Sequence, residues 1–88
     1  MIPLEFDMVV LKEGKTFVAY SPELDVSSCG ASVDQARTDL KTAVRLFLEE
    51  AEKMGTLSDI LAEAGYRKDR SGKWSPPSLV ATELLELA

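Results

Sequence analysis

Between Ser32 and Gly55 the apolar residues recur every three or four positions, at Val33, Ala36, Leu40, Ala43, Val44, Phe47, Leu48 and Ala51. That is the period of a helix with one buried side. The intervening positions are charged, with Asp34, Arg37, Asp39, Lys41, Arg45, Glu49 and Lys53, and the Arg45/Glu49 and Glu49/Lys53 pairs have the four-residue spacing that supports an exposed helix face. Ser32 followed three positions later by Gln35 makes a capping box, and Gly55 stands where a helix-ending glycine belongs. The pattern predicts a helix of about 22 residues, roughly 33 Å long, enough to span a small sheet.

The segment before it has the other period. Residues 4–11 alternate Leu4, Phe6, Met8 and Val10 against Glu5, Asp7, Val9 and Leu11, turning apolar on both sides near the end, which predicts a first strand. Glu13-Gly14-Lys15 connects it to Thr16–Tyr20, rich in aromatic and β-branched residues, so the two form a hairpin. Pro22 stops the second strand, and Ser21-Pro22-Glu23-Leu24-Asp25 has turn composition. Val26–Gly30 is then a short third strand leading into the helix.

After Gly55, Thr56 is positioned to cap a second, short helix, with Asp59 in its first turn, Leu57, Ile60, Leu61 and Ala64 along one side, and Gly65 as its stop. Residues 66–75 alternate aromatic and charged side chains around the turn Asp69-Arg70-Ser71-Gly72, the mark of a last strand or a small hairpin. Pro76-Pro77 separates this α+β domain, residues 1–77 in the order β-β-β-α-α-β, from a tail over 78–88. In the tail, Val80, Leu84 and Leu87 fit a helix, whereas Leu79, Ala81, Leu85 and Leu87 fit one side of a strand. Either way the leucines need a cover, so Leu79, Val80, Leu84, Leu85 and Leu87 are assigned to contacts in a homodimer or tetramer.

Composition narrows the function. At 88 residues the chain is one small domain near the lower limit for a single self-sufficient core. Its net charge of −5 argues against wrapping a nucleic acid and suits a basic protein partner. Cys29 is the only cysteine and the chain contains no histidine, so neither an internal disulfide nor a cysteine–histidine nucleophile is available. Acidic residues near the start and the lack of a long apolar run predict no signal peptide and no membrane span, hence a cytoplasmic protein. No catalytic, cofactor or metal site is expected.

Three stretches carry candidate chemistry. Glu5, Asp7, Glu23 and Asp25 are the carboxylates that a metal-dependent nuclease would recruit, but no further acids are spaced on a second catalytic element. The plainer reading makes Glu5 and Asp7 the solvated side of an edge strand. Tyr20, Glu23 and Asp25, around the turn, are candidate partner-binding residues, the two acids being suited to a basic protein. Arg67, Lys68, Arg70 and Lys73 with Trp74 form the one basic-aromatic cluster, in a segment (65–77) holding four bases and one acid; it is either an RNA-stacking surface or a solvated hairpin whose Trp74 packs inward or at an interface. Ser27, Ser28 and Cys29 lack a base and are small strand residues.

Residues 17–50, FVAYSPELDVSSCGASVDQARTDLKTAVRLFLEE, resemble the HicB family of small antitoxin-like proteins. The likeness rests on Phe17, Val18, Ala19, Tyr20, Pro22, Glu23 and Leu24, then Gly30, Ser32, Ala36, Leu40, Ala43 and Leu48. It implies a degenerate RNase H-like fold, an antiparallel three-stranded sheet packed by a long helix with a further strand after it. It also implies a role in a toxin–antitoxin system: binding and masking a small basic, mRNA-cleaving toxin of the HicA type. Members that repress their operon do so through a C-terminal DNA-binding module, for which eleven residues after Pro77 are too few, so DNA binding is not expected.

Overall fold

A computed structural model describes residues 3–87; the first two positions of the 1–77 domain and the last of the 78–88 tail lie outside the described residues. The elements are β1 (Val9–Glu13), β2 (Thr16–Ser21), β3 (Val26–Gly30), α1 (Val33–Met54), α2 (Leu57–Glu63), β4 (Arg67–Lys68) and β5 (Trp74–Ser75). The first three strands form an antiparallel sheet in the order β1-β2-β3, and β4 and β5 form a separate two-stranded hairpin. The α+β layout and the element order follow the hydrophobic pattern, with the last segment resolved as a hairpin.

The register sets which side chains face the helix. Val10, Ala19 and Ser28 are aligned across the three strands, as are Lys12, Phe17 and Gly30. Ala19 is fully buried, so this row faces α1, and Leu40, Val44 and Leu48 of α1 complete the core. At Gly30 the helix passes close to the sheet: a Cβ there would stand 2.9 Å from the Ala36 backbone nitrogen. Leu40 and Leu61 are fully buried, each worth about 1.5–3 kcal/mol of transfer free energy. Phe47, expected on the buried side of α1, is 37% exposed, and Val33 and Ala43 are half-buried. The apolar stripe is thus narrower than the spacing implied, because the facing sheet has only three strands.

The capping box forms as expected. Ser32 Oγ accepts the Gln35 N–H at 3.0 Å, and Gln35 Oε1 accepts the Ala31 N–H at 3.0 Å. Gly55 ends α1 in the left-handed region at φ 74, with Thr56 N–H donating to Ala51 O and Gly55 N–H to Glu52 O, the paired bonds of a Schellman motif. Gly65, at φ 92, repeats the device at the end of α2: Tyr66 N–H reaches Leu61 O and Gly65 N–H reaches Ala62 O. Thr56 does not cap α2; its hydroxyl donates instead to Ala51 O at 3.4 Å. With one glycine between the helices, that hydroxyl serves the end of α1 rather than the start of α2.

The expected first strand is corrected at its beginning. Residues 3–8 belong to no strand, and the ladder starts with Val9 opposite Tyr20. One step earlier the partner would be Ser21, and beyond it Pro22, which has no N–H and turns the chain away. The alternation still has a consequence, since Leu4, Phe6 and Met8 are half-buried and pack on the core. Residues 78–87 form neither helix nor strand, which leaves both readings of the tail unrealised in the single chain.

Candidate functional site

The loop between β2 and β3 divides the three residues singled out there. Asp25, at φ 54, occupies a left-handed position that aspartate tolerates better than most residues, and its N–H closes the turn on Ser21 O at 2.9 Å. Tyr20 donates its hydroxyl to Asp25 Oδ1 at 2.9 Å; that bond and the adjacent charge raise the phenol's pKa above its ordinary value. These two residues stand together on the surface. Glu23 does not join them: its carboxylate accepts the Asp7 N–H at 2.9 and 3.2 Å, and Ser21 Oγ donates to it at 3.3 Å. Glu23 therefore holds the unpaired N-terminal segment in the place a neighbouring strand would have taken. Desolvation, reinforced by Asp7, pushes its carboxyl above the usual carboxylate range. Leu24 is buried and pins the loop to the core.

The same segment is tied a second time. Tyr66, only 4% exposed, donates its hydroxyl to the Glu5 carbonyl at 2.6 Å. Burial, with the charges of Glu23, Asp7 and Glu5 adding to it, raises the Tyr66 phenol's pKa above its ordinary value. Asp7 and Glu23 thus meet through a backbone hydrogen bond rather than across a metal position. Among the described residues no group of three or more His, Cys, Asp or Glu side chains is placed to hold a metal ion.

The register defines a surface on the far side of the sheet. Val9, Tyr20 and Ser27 form one row, and Leu11, Val18 and Cys29 the next. These residues point away from α1, since side chains alternate across a strand. Leu11 is 55% exposed and Cys29 is exposed, while Val9, Val18 and Tyr20 are half-buried among their neighbours. Glu13 lies on the same side beyond Leu11, and the Tyr20–Asp25 pair stands at the other end. The result is an apolar patch with a carboxylate at each end. Sequence reasoning singled out only Tyr20 and Asp25 here. Its signal for Val9 and Leu11 was the doubly apolar end of the first strand.

The basic residues are placed by the β4–β5 hairpin. Asp69 organises the turn, its carboxylate accepting Ser71 N–H at 2.8 Å, Ser71 Oγ at 2.6 Å and Lys73 N–H at 3.0 Å. Those bonds, the Ser71 hydroxyl first, hold its pKa below the usual carboxylate value. Lys68 lies over the Trp74 ring, 5.6 Å from its centroid, and the half-buried Trp74 packs against the core. One face of the ring is thereby occupied by a cation of its own chain. Lys73 reaches Glu5 at 4.0 Å, an exposed and loose pair, while Arg67 and Arg70 are exposed.

Between this hairpin, the N-terminal segment and the α1–α2 corner runs a groove of about 1030 Å³, lined by Leu4, Leu57 and Trp74 together with Glu52, Lys68 and Lys73. The tail does not enter it: Leu79 is 56% exposed, and Val80, Leu84, Leu85 and Leu87 are 81–101% exposed. No helix among the described residues is long and apolar enough to cross a membrane. Compared with known protein families, with curated proteins and with solved structures, the chain finds no match in any of the three.

Proposed function

We propose that this chain is a non-catalytic protein-binding module of the HicB-like kind, which binds a small basic, mRNA-cleaving toxin of the HicA type and masks it. The observation that carries the reading is the uncovered apolar face of the sheet, with Leu11 and Val18 at its centre and Glu13 and Asp25 at its ends. Apolar area supplies affinity, while the flanking acids steer a basic partner and set its orientation. The resemblance of residues 17–50 to HicB antitoxins supplies the class of partner, and the overall charge of −5 agrees with it. Glu23 acts indirectly, by fixing the loop that presents Tyr20 and Asp25.

The test is a pull-down from native lysate with the tagged chain beside its Leu11→Asp/Val18→Lys variant. A small basic protein should be recovered in stoichiometric amount by the parent and lost by the variant. Cleavage of mRNA by the recovered protein should stop when one equivalent of the parent chain is added. Equal recovery by both chains refutes the assignment of the face. Divalent-metal-dependent RNA cleavage by the chain alone refutes the non-catalytic reading, and salt-sensitive RNA binding abolished by Arg67→Ala/Arg70→Ala transfers the function to the hairpin.

A further inference from the structure

We propose that the groove beside the β4–β5 hairpin receives the C-terminal tail of a second copy, so that two chains exchange tails in a symmetric dimer. The tail and the groove match in chemistry. Val80, Leu84 and Leu87 share one side at helical spacing, and Glu83 and Glu86 lie beside that side. Leu4, Leu57 and Trp74 supply the apolar lining of the groove; Lys68 and Lys73 stand on its hairpin side, and Glu5 and Glu52 stand on the N-terminal segment and α1, so that only the hairpin side attracts the tail's glutamates. The hairpin strand and turn residues 67–73 hold four bases and one acid, opposite in sign to the tail. The open sheet face is flanked by Glu13 and Asp25, which repel the same tail.

The course of the chain directs the tail outward. The Pro77 ring covers Gly65, 3.4 Å from where a Cβ would stand, and Leu79 lies beside Asp7 and Glu23. Beyond that point the large side chains from Val80 to Leu87 are almost fully exposed, and the chain's own groove stays open. The areas suit a reciprocal exchange. An aliphatic side chain offers roughly 60–120 Å² for burial, so Val80, Leu84 and Leu87 cover roughly 180–360 Å² and an equal area of groove. Two such exchanges bury roughly 700–1,400 Å², which enters the lower end of the roughly 1,200–2,000 Å² of a stable interface, whereas one does not.

Sedimentation equilibrium of the full chain over a wide dilution series tests this without any toxin partner, and so independently of the function proposed above. The parent should be a dimer that weakens with added salt. Leu84→Asp/Leu87→Asp alters only exposed positions and should leave the circular dichroism of the domain intact while weakening the dimer at least about tenfold. Lys68→Glu/Lys73→Glu should weaken it too, and adding Glu83→Lys/Glu86→Lys to that variant should restore it. The proposal is overturned by a dimer indifferent to the tail substitutions, or by charge reversal without rescue. It is equally overturned by a monomer at every concentration, including one whose tail resists proteolysis because it occupies its own groove.

Discussion

Removing one oxygen from Tyr66 tests how the N-terminal segment is held. In Tyr66→Phe the ring stays in the core, and the 2.6 Å bond to the Glu5 carbonyl is lost. Glu5 is exposed, so its carbonyl regains water and the net cost is that of one hydrogen bond, about 0.5–1.5 kcal/mol. For a domain of this size each kcal/mol moves the Tm by about 4–8 °C. The pH dependence identifies the group. The folded-state pKa of Tyr66 lies above its ordinary value of 10.0, so its contribution is complete below about pH 10. At higher pH the unfolded chain ionises first, and the parent loses stability by up to about 1.4 kcal/mol per pH unit. Tyr66→Phe lacks that loss, while Tyr20, unchanged by the substitution, contributes equally to both proteins. Thermal unfolding followed by circular dichroism should show the variant less stable near about pH 8, with the gap closing by about pH 11. An unchanged gap at the two pH values, or no gap at about pH 8, refutes this account of the contact.

The acid side of the profile belongs to Glu23, whose folded pKa is raised, so the parent loses stability as pH rises through the range just above ordinary carboxylate values. Glu23→Gln keeps an acceptor for the Asp7 N–H and should gain on the parent between about pH 4 and about pH 7, by less than about 1 kcal/mol because water screens the half-exposed group; urea titrations across that range measure it. Gly30→Ala places a methyl 2.9 Å from the Ala36 backbone nitrogen and should cost about 1–3 kcal/mol in chemical denaturation, since the helix must shift off the sheet. Ser32→Ala removes the acceptor for Gln35 N–H and should cost about 1 kcal/mol by the same assay.

The parts of this fold that were legible in the sequence are those decided locally. Ser32, Gln35 and Gly55 act within one helical turn of their partners, and Asp69 organises a turn whose bonds all lie within four residues. The parts that were not legible depend on residues far apart in the chain. Alternation over 4–8 indicates an extended segment with one apolar side, but a strand needs a backbone partner, and Pro22 removes it. A carboxylate sixteen residues away takes over the bonding, and no period in the sequence reports that. The candidate surface followed the same division. Tyr20 and Asp25 were readable from turn composition, whereas the apolar patch of Leu11, Val18 and Cys29 emerges only when three strands align in a particular register. Thr56 shows the limit of capping rules, because one hydroxyl between two adjacent helices serves only one of them.

The bond from Tyr66 to Glu5 spans 61 residues, and it orders events on the ribosome. At roughly 5–20 residues per second, Glu5 is made about 3–12 s before the side chain that holds it. During that interval the strands and α1 can assemble from contacts closer in sequence, and the segment carrying Leu4 and Phe6 has the Glu23 tether at Asp7 but lacks the Tyr66 one. The newborn chain's apolar leading end is therefore held at one point rather than two until Tyr66 has been translated. In that window fraying of the leading end exposes Leu4 and Phe6 to aggregation and to chaperones more readily than in the finished chain.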